Sequence, residues 1–423
     1  RDLHKEYRRQ RQMCIRDSQS PGNRAVVVSA VAGVTDVLLE LIECAAGQEP
    51  VTGVIAGLRE RYERLVGELL SAEEGKTFLG QFEVELEDID SVLKALSLVK
   101  SASHRSRDMV SGFGEVWSAR LLSAVLQGRE DQHEAVICLN ASNVLVVGAG
   151  EMGPIVSWES TQANLSDEIP DEFKGIVVIT GYIARNSDGL QVTLGRNGSD
   201  YSASIFGALL KADAVHIWTD VEGVMTGDPR RVPEATVIDE ISYNEAMELA
   251  YFGAKVIHPQ TMAPAVTHGI PVRIRGTFNP EHPGTRITAS PTSPDALIKG
   301  VSGIYGVALV NLEGAGMIGV PGTADRLFGA LRDAAVSVML ISQGSSEHSI
   351  CFAVPERSAD LVKTVVERAF SVELDQAQIQ NVEVTKGCGV LAVVGDGMAG
   401  LPGVAGRFSV SYTHLTLPTI LLV

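Results

Sequence analysis

Short runs of apolar, β-branched residues alternate with helical patterns through the first two thirds of the chain, and this alternation restricts the fold strongly. Residues 25–30 (AVVVSA) and 175–180 (GIVVIT) are typical of buried parallel strands. Helical patterns follow at 35–46 and 199–211. Strands that alternate with helices predict an α/β fold, a three-layer α/β/α sandwich that binds ligands at the carboxyl ends of its strands.

The same periodicities predict the remaining elements of this part. Strands are expected at 135–139, 144–147, 192–194 and 214–218, helices at 54–100 and 243–252, and a Gly-rich turn at 111–115 before a helix that ends near 126. Thr35 or Asp36 is expected to cap the helix at 35–46, and Ser199 the helix at 199–211.

After residue 298 the order of elements changes to βαββαβ, which predicts a small α+β, ferredoxin-like unit. Strands are expected at 307–312, 336–341 and 349–354, and helices at 323–335 and 359–370. An internal repeat indicates a second copy, because eight residues of the segment 314–326 recur 81 positions later without a gap. They are Gly314, Gly316, Met317, Gly319, Pro321, Gly322, Ala324 and Arg326.

Charge and composition exclude several classes of protein. The chain holds 35 Lys and Arg against 52 Asp and Glu, a net charge of −17, which disfavours general nucleic-acid binding. Its longest apolar stretch, near 26–34, is too short to cross a membrane. Five scattered cysteines without metal-binding spacing predict free thiols in a reducing cytoplasm.

Both ends differ from the middle of the chain. Residues 1–18 are basic, but their three acidic residues argue against a targeting peptide. The strings RQMCIRDS and SVSYTHLTLPT resemble translated sequencing-adapter sequence. We therefore expect residues 1–18 and 409–423 to be non-native.

The loop Gly195-Arg196-Asn197-Gly198-Ser199-Asp200, between a strand and a helix, is the strongest chemical signal. Glycine-loop N–H groups and a helix N-terminus bind anions, and an arginine can hold a carboxylate or phosphate with two hydrogen bonds. The alternative is a capped helix after a tight turn. The sequence contains no P-loop motif.

Other polar residues stand at strand or helix ends. Thr35 lies in a turn of small residues, Glu115 at a helix start, Thr219 and Asp220 at a strand end, Arg230 in the next loop, and Lys255 after a helix. Each also has a structural explanation, as a helix cap, a first-turn acid or a solvated loop residue.

Several long motifs resemble aspartate kinases of the amino-acid kinase family. They include VSAVAGVTD, TGYIARNSDGLQVTLGRNGSDYSASIFGALLKADAVHIWTDVEG, FGAKVIHPQTMAPA and ISQGSSEHSI. GEVWSARLL and LNASNVLVV resemble the kinase half of bifunctional aspartokinase–homoserine dehydrogenases, and the repeated module resembles the ACT domain. The resemblance implies a kinase domain at 19–297, one ACT domain at 298–380 and part of a second at 381–408.

The resemblance also implies roles in substrate binding and phosphoryl transfer. Thr35 and Glu115 would contact aspartate, Glu115 through the ammonium group, and Arg196 would hold a carboxylate. Ser199 and Asp200 would organise the reacting end beside the phosphoryl group and the metal. The aspartate β-carboxylate is already ionised at neutral pH, since its reference pKa is ~3.9, so no general base is required.

ATP and Mg²⁺ are the implied cofactors. Thr219, Asp220, Arg230 and Lys255 would bind ATP, and Met225 stands where many aspartate kinases have a tyrosine beside the nucleotide. The family opens with a strand and a KFGGTS-like phosphate-binding loop, which residues 1–24 do not match. We therefore expect this chain to have little or no kinase activity.

Regulation is implied by the ACT repeat. Met317 and Gln343 would lie near a bound amino acid, with threonine the first candidate and lysine the second, and ACT pairing implies a homo-oligomer for the full-length protein. The resemblance leaves two alternatives. One is another amino-acid kinase, such as glutamate 5-kinase, and the other is a non-catalytic amino-acid-binding regulatory subunit.

Overall fold

A computed structural model describes residues 24–129, 134–150, 153–170, 172–252, 258–291, 297–344, 347–398 and 401–413. Residues 411–413 are described by their backbone alone. The elements are β1 Arg24–Val28, α1 Val34–Ala46, α2 Thr52–Leu69, α3 Ala72–Val99, α4 His104–Ser111, α5 Phe113–Gln127, β2 Ala135–Leu139, α6 Ala141–Val144, β3 Val147–Gly148, β4 Ile155–Val156, α7 Trp158–Glu168, β5 Gly175–Thr180, β6 Ile183–Arg185, β7 Gln191–Thr193, α8 Gly198–Leu209, β8 Val215–Thr219, β9 Glu240–Ser242, α9 Tyr243–Tyr251, α10 Pro259–Thr267, β10 Val272–Gly276, β11 Thr285–Thr288, β12 Gly300–Glu313, α11 Thr323–Asp333, β13 Leu340–Gln343, β14 Ser349–Pro355, α12 Ala359–Ala369, α13 Ser371–Asp375, β15 Asn381–Val394 and α14 Val404–Thr413.

The chain divides into two compact units. Described residues within 24–224, 237–246 and 258–291 form the first, and those within 225–236, 247–252 and 297–413 form the second. In the first unit, β5 is paired in parallel with β1 on one side and β2 on the other. The first unit also contains a mixed four-stranded sheet of order β8-β10-β11-β9. These strands and their helices confirm the predicted α/β fold.

An aromatic cluster forms the centre of the helical part of this unit. The side chains of Tyr62, Phe82 and Trp117 are 0 % exposed, and Phe82 lies 4.7 Å from each of the other two rings, measured between centroids. Trp117 donates its indole N–H to a Glu85 oxygen at 2.7 Å, and Arg120 holds the same carboxylate with two hydrogen bonds. The cluster therefore joins α2, α3 and α5 through apolar packing and one satisfied polar group.

Several local predictions were wrong at turns. The predicted strand at 144–147 is only partly correct: Val144 ends the helix α6, which the Asn140 side chain starts by accepting the backbone N–H of Ser142, and the strand β3 begins at Val147. The expected turn at 111–115 is helical, with Gly112 at φ −67° and ψ −18° between α4 and α5. The helix predicted at 54–100 is two helices, separated where Ser71 and Glu74 form a capping box.

Helix caps also differ from the prediction. The N-cap of α1 is Gly33, at φ 76°, and not Thr35 or Asp36. The N-cap of α8 is Asn197, at φ 57°, so Ser199 is the second residue of that helix and not its cap. Both caps adopt the left-handed conformation, which side-chain capping preferences do not predict.

The second unit contains an antiparallel sheet of order β13-β14-β12-β15, the order of the predicted ferredoxin-like unit. The predicted strand at 336–341 begins later, at Leu340. Residues 381–385 of β15 pair with 309–313 of β12, and 388–394 pair with 300–305 and 307. The predicted boundary after residue 380 therefore falls at the start of a strand that continues the sheet, and the domain boundaries stay a prediction.

The 81-residue repeat has a structural counterpart. β12, the 3₁₀ turn Ala315–Met317 and α11 begin 81 residues before β15, the 3₁₀ turn Asp396–Met398 and α14. Each copy thus has the same order of strand, 3₁₀ turn and helix. The four described cysteines are free, as predicted, and among the described helices none is long and apolar enough to span a membrane.

Candidate functional site

The carboxyl ends of β1 and β5 lie side by side, and Glu115 and Ser199, two of the polar residues selected from the sequence, lie near them. Val28 and Thr180 are paired at these ends, and the N–H of Gly181 donates to the Val28 carbonyl at 2.8 Å. A side chain at Gly181 would place its Cβ 2.7 Å from the Ser199 Oγ. Glycine is required here because the start of α8 packs directly against the end of β5.

Glu115 reaches the same edge of the sheet from the first turn of α5. Its Oε1 accepts a hydrogen bond from the backbone N–H of Ala30 at 3.3 Å, immediately after β1. A Cβ on Gly114 would lie 2.8 Å from the Ala30 Cβ, so this glycine permits the close approach. Ala30 lies in the turn of small residues selected from the sequence, but its contact with Glu115 was not predicted, because the two residues are 85 positions apart.

Burial changes the protonation of the two carboxylates of this region. Glu115 is 3 % exposed, and burial raises its pKa to about 8. Burial also raises the pKa of Asp200, in the first turn of α8, to about 6. The Oε2 of Glu115 is buried and has no hydrogen-bond partner among the described residues. A cation that reached this oxygen would favour the ionised carboxylate.

The loop before α8 is the exposed part of the arrangement. Arg196 is exposed between Gly195, at φ 77°, and Asn197. Tyr182 adopts φ 66°, a strained conformation for a bulky residue, and its N–H donates to the Ser202 Oγ in α8. Sequence patterns did not indicate Tyr182, since nothing local predicts a left-handed tyrosine. Thr35 is half-buried in the first turn of α1.

The predicted nucleotide residues fall in different parts of the molecule. In the first unit, Thr219 ends β8, and its hydroxyl donates to the neighbouring Asp220 carboxylate at 3.1 Å. In the second unit, Met225 is half-buried, and Arg230 is paired with Asp228 through two nitrogens at 3.1 and 3.2 Å. Lys255 lies outside the described residues.

The predicted effector residues lie in the second unit. Met317 is 5 % exposed and packs in the core of this unit with Leu327 and Phe370. Gln343 is exposed at the end of the edge strand β13. Among the described residues, no group of three or more His, Cys, Asp or Glu side chains is placed to hold a metal ion.

Comparison with known proteins shows the family. The pattern of the amino acid kinase family matches residues 13–276, and that of an ACT domain matches residues 310–370. The chain belongs to the amino acid kinase family. These matches confirm the family resemblance inferred from the sequence. They also confirm that an amino-acid kinase fold is followed by an ACT domain. The match begins inside residues 1–18, so their non-native origin stays a prediction.

A bifunctional plant enzyme is similar over most of the chain. The bifunctional aspartokinase/homoserine dehydrogenase 1 of Zea mays is 38 % identical over 393 residues, which are 90 % of this chain and 42 % of the relative. The chain thus spans about two fifths of that relative's length.

Two solved structures of E. coli aspartokinase III share the fold. One, in complex with aspartate and ADP (R-state), has a TM-score of 0.75 and 27 % identity, covering 95 % of this chain and 86 % of the other. The second, in complex with lysine and aspartate (T-state), has a TM-score of 0.74 and 28 % identity, covering 98 % and 88 %.

Proposed function

We propose that this chain is an aspartate kinase unit of an enzyme that, with the family's phosphate-binding loop in place, transfers the γ-phosphoryl group of ATP to the β-carboxylate of L-aspartate and forms 4-phospho-L-aspartate. The observation that carries the proposal is the buried Oε2 of Glu115, which lies beside the ends of β1 and β5 and has no hydrogen-bond partner in the described part of the chain. A buried carboxylate oxygen of this kind fits a substrate ammonium group. The similarity to aspartokinases that cover most of this chain supports the same substrate.

In this proposal the ammonium group and the α-carboxylate of aspartate are held by different elements. Glu115 binds the ammonium group, Thr35 supplies a hydroxyl, and exposed Arg196 holds the α-carboxylate with two hydrogen bonds. Ser199 and Asp200, at the N-terminus of α8, face the reacting end. The helix N-terminus stabilises negative charge there, and positioning does the rest because the β-carboxylate is a nucleophile without deprotonation.

The residues that the family resemblance implies for ATP binding, Thr219, Asp220, Met225, Arg230 and Lys255, stay a prediction. Magnesium retains most of its waters and binds nucleotide phosphates, so it does not need a cage of protein ligands. The lack of a metal cluster among the described residues is compatible with such an ion, and Asp200 is the carboxylate that the family resemblance places near it. The ion would neutralise charge on the transferring phosphoryl group.

The ACT unit is proposed to bind a feedback amino acid near Met317 and Gln343, threonine first and lysine second. The T-state E. coli structure, which holds lysine, supports regulation of this kind. The homo-oligomer and the cytoplasmic location stay predictions.

The activity is tested by hydroxamate formation from ATP, Mg²⁺ and L-aspartate, with L-glutamate as the rival substrate. The chain as written should show little turnover, and a version with the family's opening strand and KFGGTS-like loop should be active with aspartate. One preorganised phosphate contact is worth ~3–4 kcal/mol, or about 10²–10³ in rate. Phosphorylation of glutamate alone would indicate the other kinase, and aspartate binding without turnover in either version would indicate the regulatory subunit.

The affinity for L-aspartate should increase with pH. Glu115 has a pKa of about 8 in the empty protein, and the ammonium group requires its ionised form. Each pH unit below 8 should therefore weaken binding roughly tenfold. Isothermal titration between pH 6.5 and 8 measures this slope, in a range where Asp200, with a pKa of about 6, is mostly ionised. A flat profile would exclude Glu115 as the ammonium partner.

A further inference from the structure

Three buried hydroxyl or carboxylate oxygens near the start of α5 have no hydrogen-bond partner among the described residues. They belong to Tyr62, Ser111 and Glu115, whose side chains are 0 %, 1 % and 3 % exposed. Buried polar groups are almost always paired in folded proteins, so a cluster of unpaired ones calls for an explanation. The proposed function uses Glu115 but neither hydroxyl.

Ser111 and Glu115 lie on one face of nearly continuous helix. Gly112 between α4 and α5 has helical angles of φ −67° and ψ −18°, so residues four positions apart are neighbours across this junction. Buried serines in helices commonly donate to the carbonyl four residues earlier, as Ser123 does to Ala119 at 2.8 Å. The Ser111 hydroxyl makes no such bond, which leaves its oxygen and its proton available.

Tyr62, in α2, contributes the third buried oxygen of this region. Its ring lies 5.3 Å from that of Trp117, and the Glu115 carboxylate adds to burial in raising the pKa of its hydroxyl. The Glu115 charge therefore acts on a second buried hydroxyl. Such a polar region inside an otherwise apolar cluster destabilises the empty protein and is explained by a polar ligand.

We propose that Ser111 is a substrate-binding residue, whose hydroxyl oxygen accepts a hydrogen bond from the α-ammonium group of L-aspartate beside Glu115. This inference rests on the proposed function, because it takes Glu115 as the ammonium partner. A primary ammonium group has three N–H donors, and one carboxylate oxygen satisfies only part of them. Ser111 supplies the next acceptor and favours an α-amino acid over a dicarboxylic acid without the amine.

The test compares the full wild-type chain with Ser111→Ala by isothermal titration with L-aspartate and with succinate, which lacks the amine. The dissociation constant for L-aspartate should rise about tenfold or more, as expected for a lost hydrogen bond to a charged group. That for succinate should stay within twofold. The unfolding temperature of the empty protein should not fall, because the substitution removes an unpaired buried group.

Two further variants separate binding from structure. Ser111→Cys keeps the size of the side chain with a weaker acceptor and should reproduce the Ser111→Ala pattern. Ser123→Ala, in α5, removes a buried hydroxyl that is already paired and should leave both ligands unaffected.

An unchanged affinity for L-aspartate in Ser111→Ala, or an equal loss for both ligands together with a lower unfolding temperature, would overturn this inference alone. A wild-type chain that fails to bind L-aspartate would overturn the proposed function and this inference together.

Discussion

Replacing Glu115 with glutamine should raise the dissociation constant for L-aspartate by about 100-fold or more. Glu115 is 3 % exposed, and its ionised form is the proposed partner of the substrate ammonium group. Breaking a buried charge pair by removing one partner costs ~3–5 kcal/mol, which corresponds to about 10²–10⁴ in affinity. The amide keeps the size of the side chain and can still accept the N–H of Ala30. Calorimetric titration at pH 8 measures the loss.

The same substitution should stabilise the empty protein at high pH. The pKa of Glu115 in the folded state is about 8, above its ordinary value of 4.5, so folding favours the protonated form. Stability from this group is therefore present at low pH and is lost as the pH rises through 8. Glu115→Gln removes this loss, and its unfolding temperature should exceed that of the wild type at pH 8.5 but not at pH 5.

Glu73→Gln is the matched control, because Glu73 is an exposed acid in the first turn of another helix. It should change neither aspartate binding nor the pH dependence of unfolding. If Glu115→Gln bound L-aspartate as tightly as the wild type, the ammonium site would have to lie elsewhere.

Phe82→Ala should destabilise the first unit by about 3–5 kcal/mol, the usual cost of truncating a buried aromatic residue. Phe82 is 0 % exposed and packs with its ring centroid 4.7 Å from both Tyr62 and Trp117. The cavity would lie between α2, α3 and α5, whose first turn carries Glu115. Urea unfolding followed by tryptophan fluorescence measures the change, since Trp117 is buried in the cluster.

Val84→Ala on the same helix provides the comparison. Val84 is 59 % exposed, so its truncation should change the free energy of unfolding by less than about 0.5 kcal/mol. Equal effects of the two substitutions would show that the aromatic cluster does not form the centre of this unit.

The elements with clear local patterns were predicted well, and the failures occur where backbone conformation overrides them. The strand at 175–180 was predicted with its observed bounds because every residue of it is buried and β-branched or small. The repeat of the segment 314–326 predicted a second copy 81 residues later, and a 3₁₀ turn followed by a helix occurs at both places. The caps of α1 and α8 were missed because Gly33 and Asn197 adopt left-handed angles, which depend on how each loop enters its helix.

The features of the candidate site also separate into those predicted from the sequence and those seen only in the tertiary structure. The sequence alone identified the GRNGSD loop, the acid at position 115 and the ACT repeat, since turn chemistry and repetition are properties of neighbouring residues. Only the tertiary structure brought Glu115 to the N–H of Ala30, 85 positions earlier, and buried it. Desolvation depends on elements distant in sequence, so no local pattern encodes the raised pKa of Glu115. The same packing buries the Ser111 hydroxyl without a hydrogen-bond partner among the residues that the structure describes.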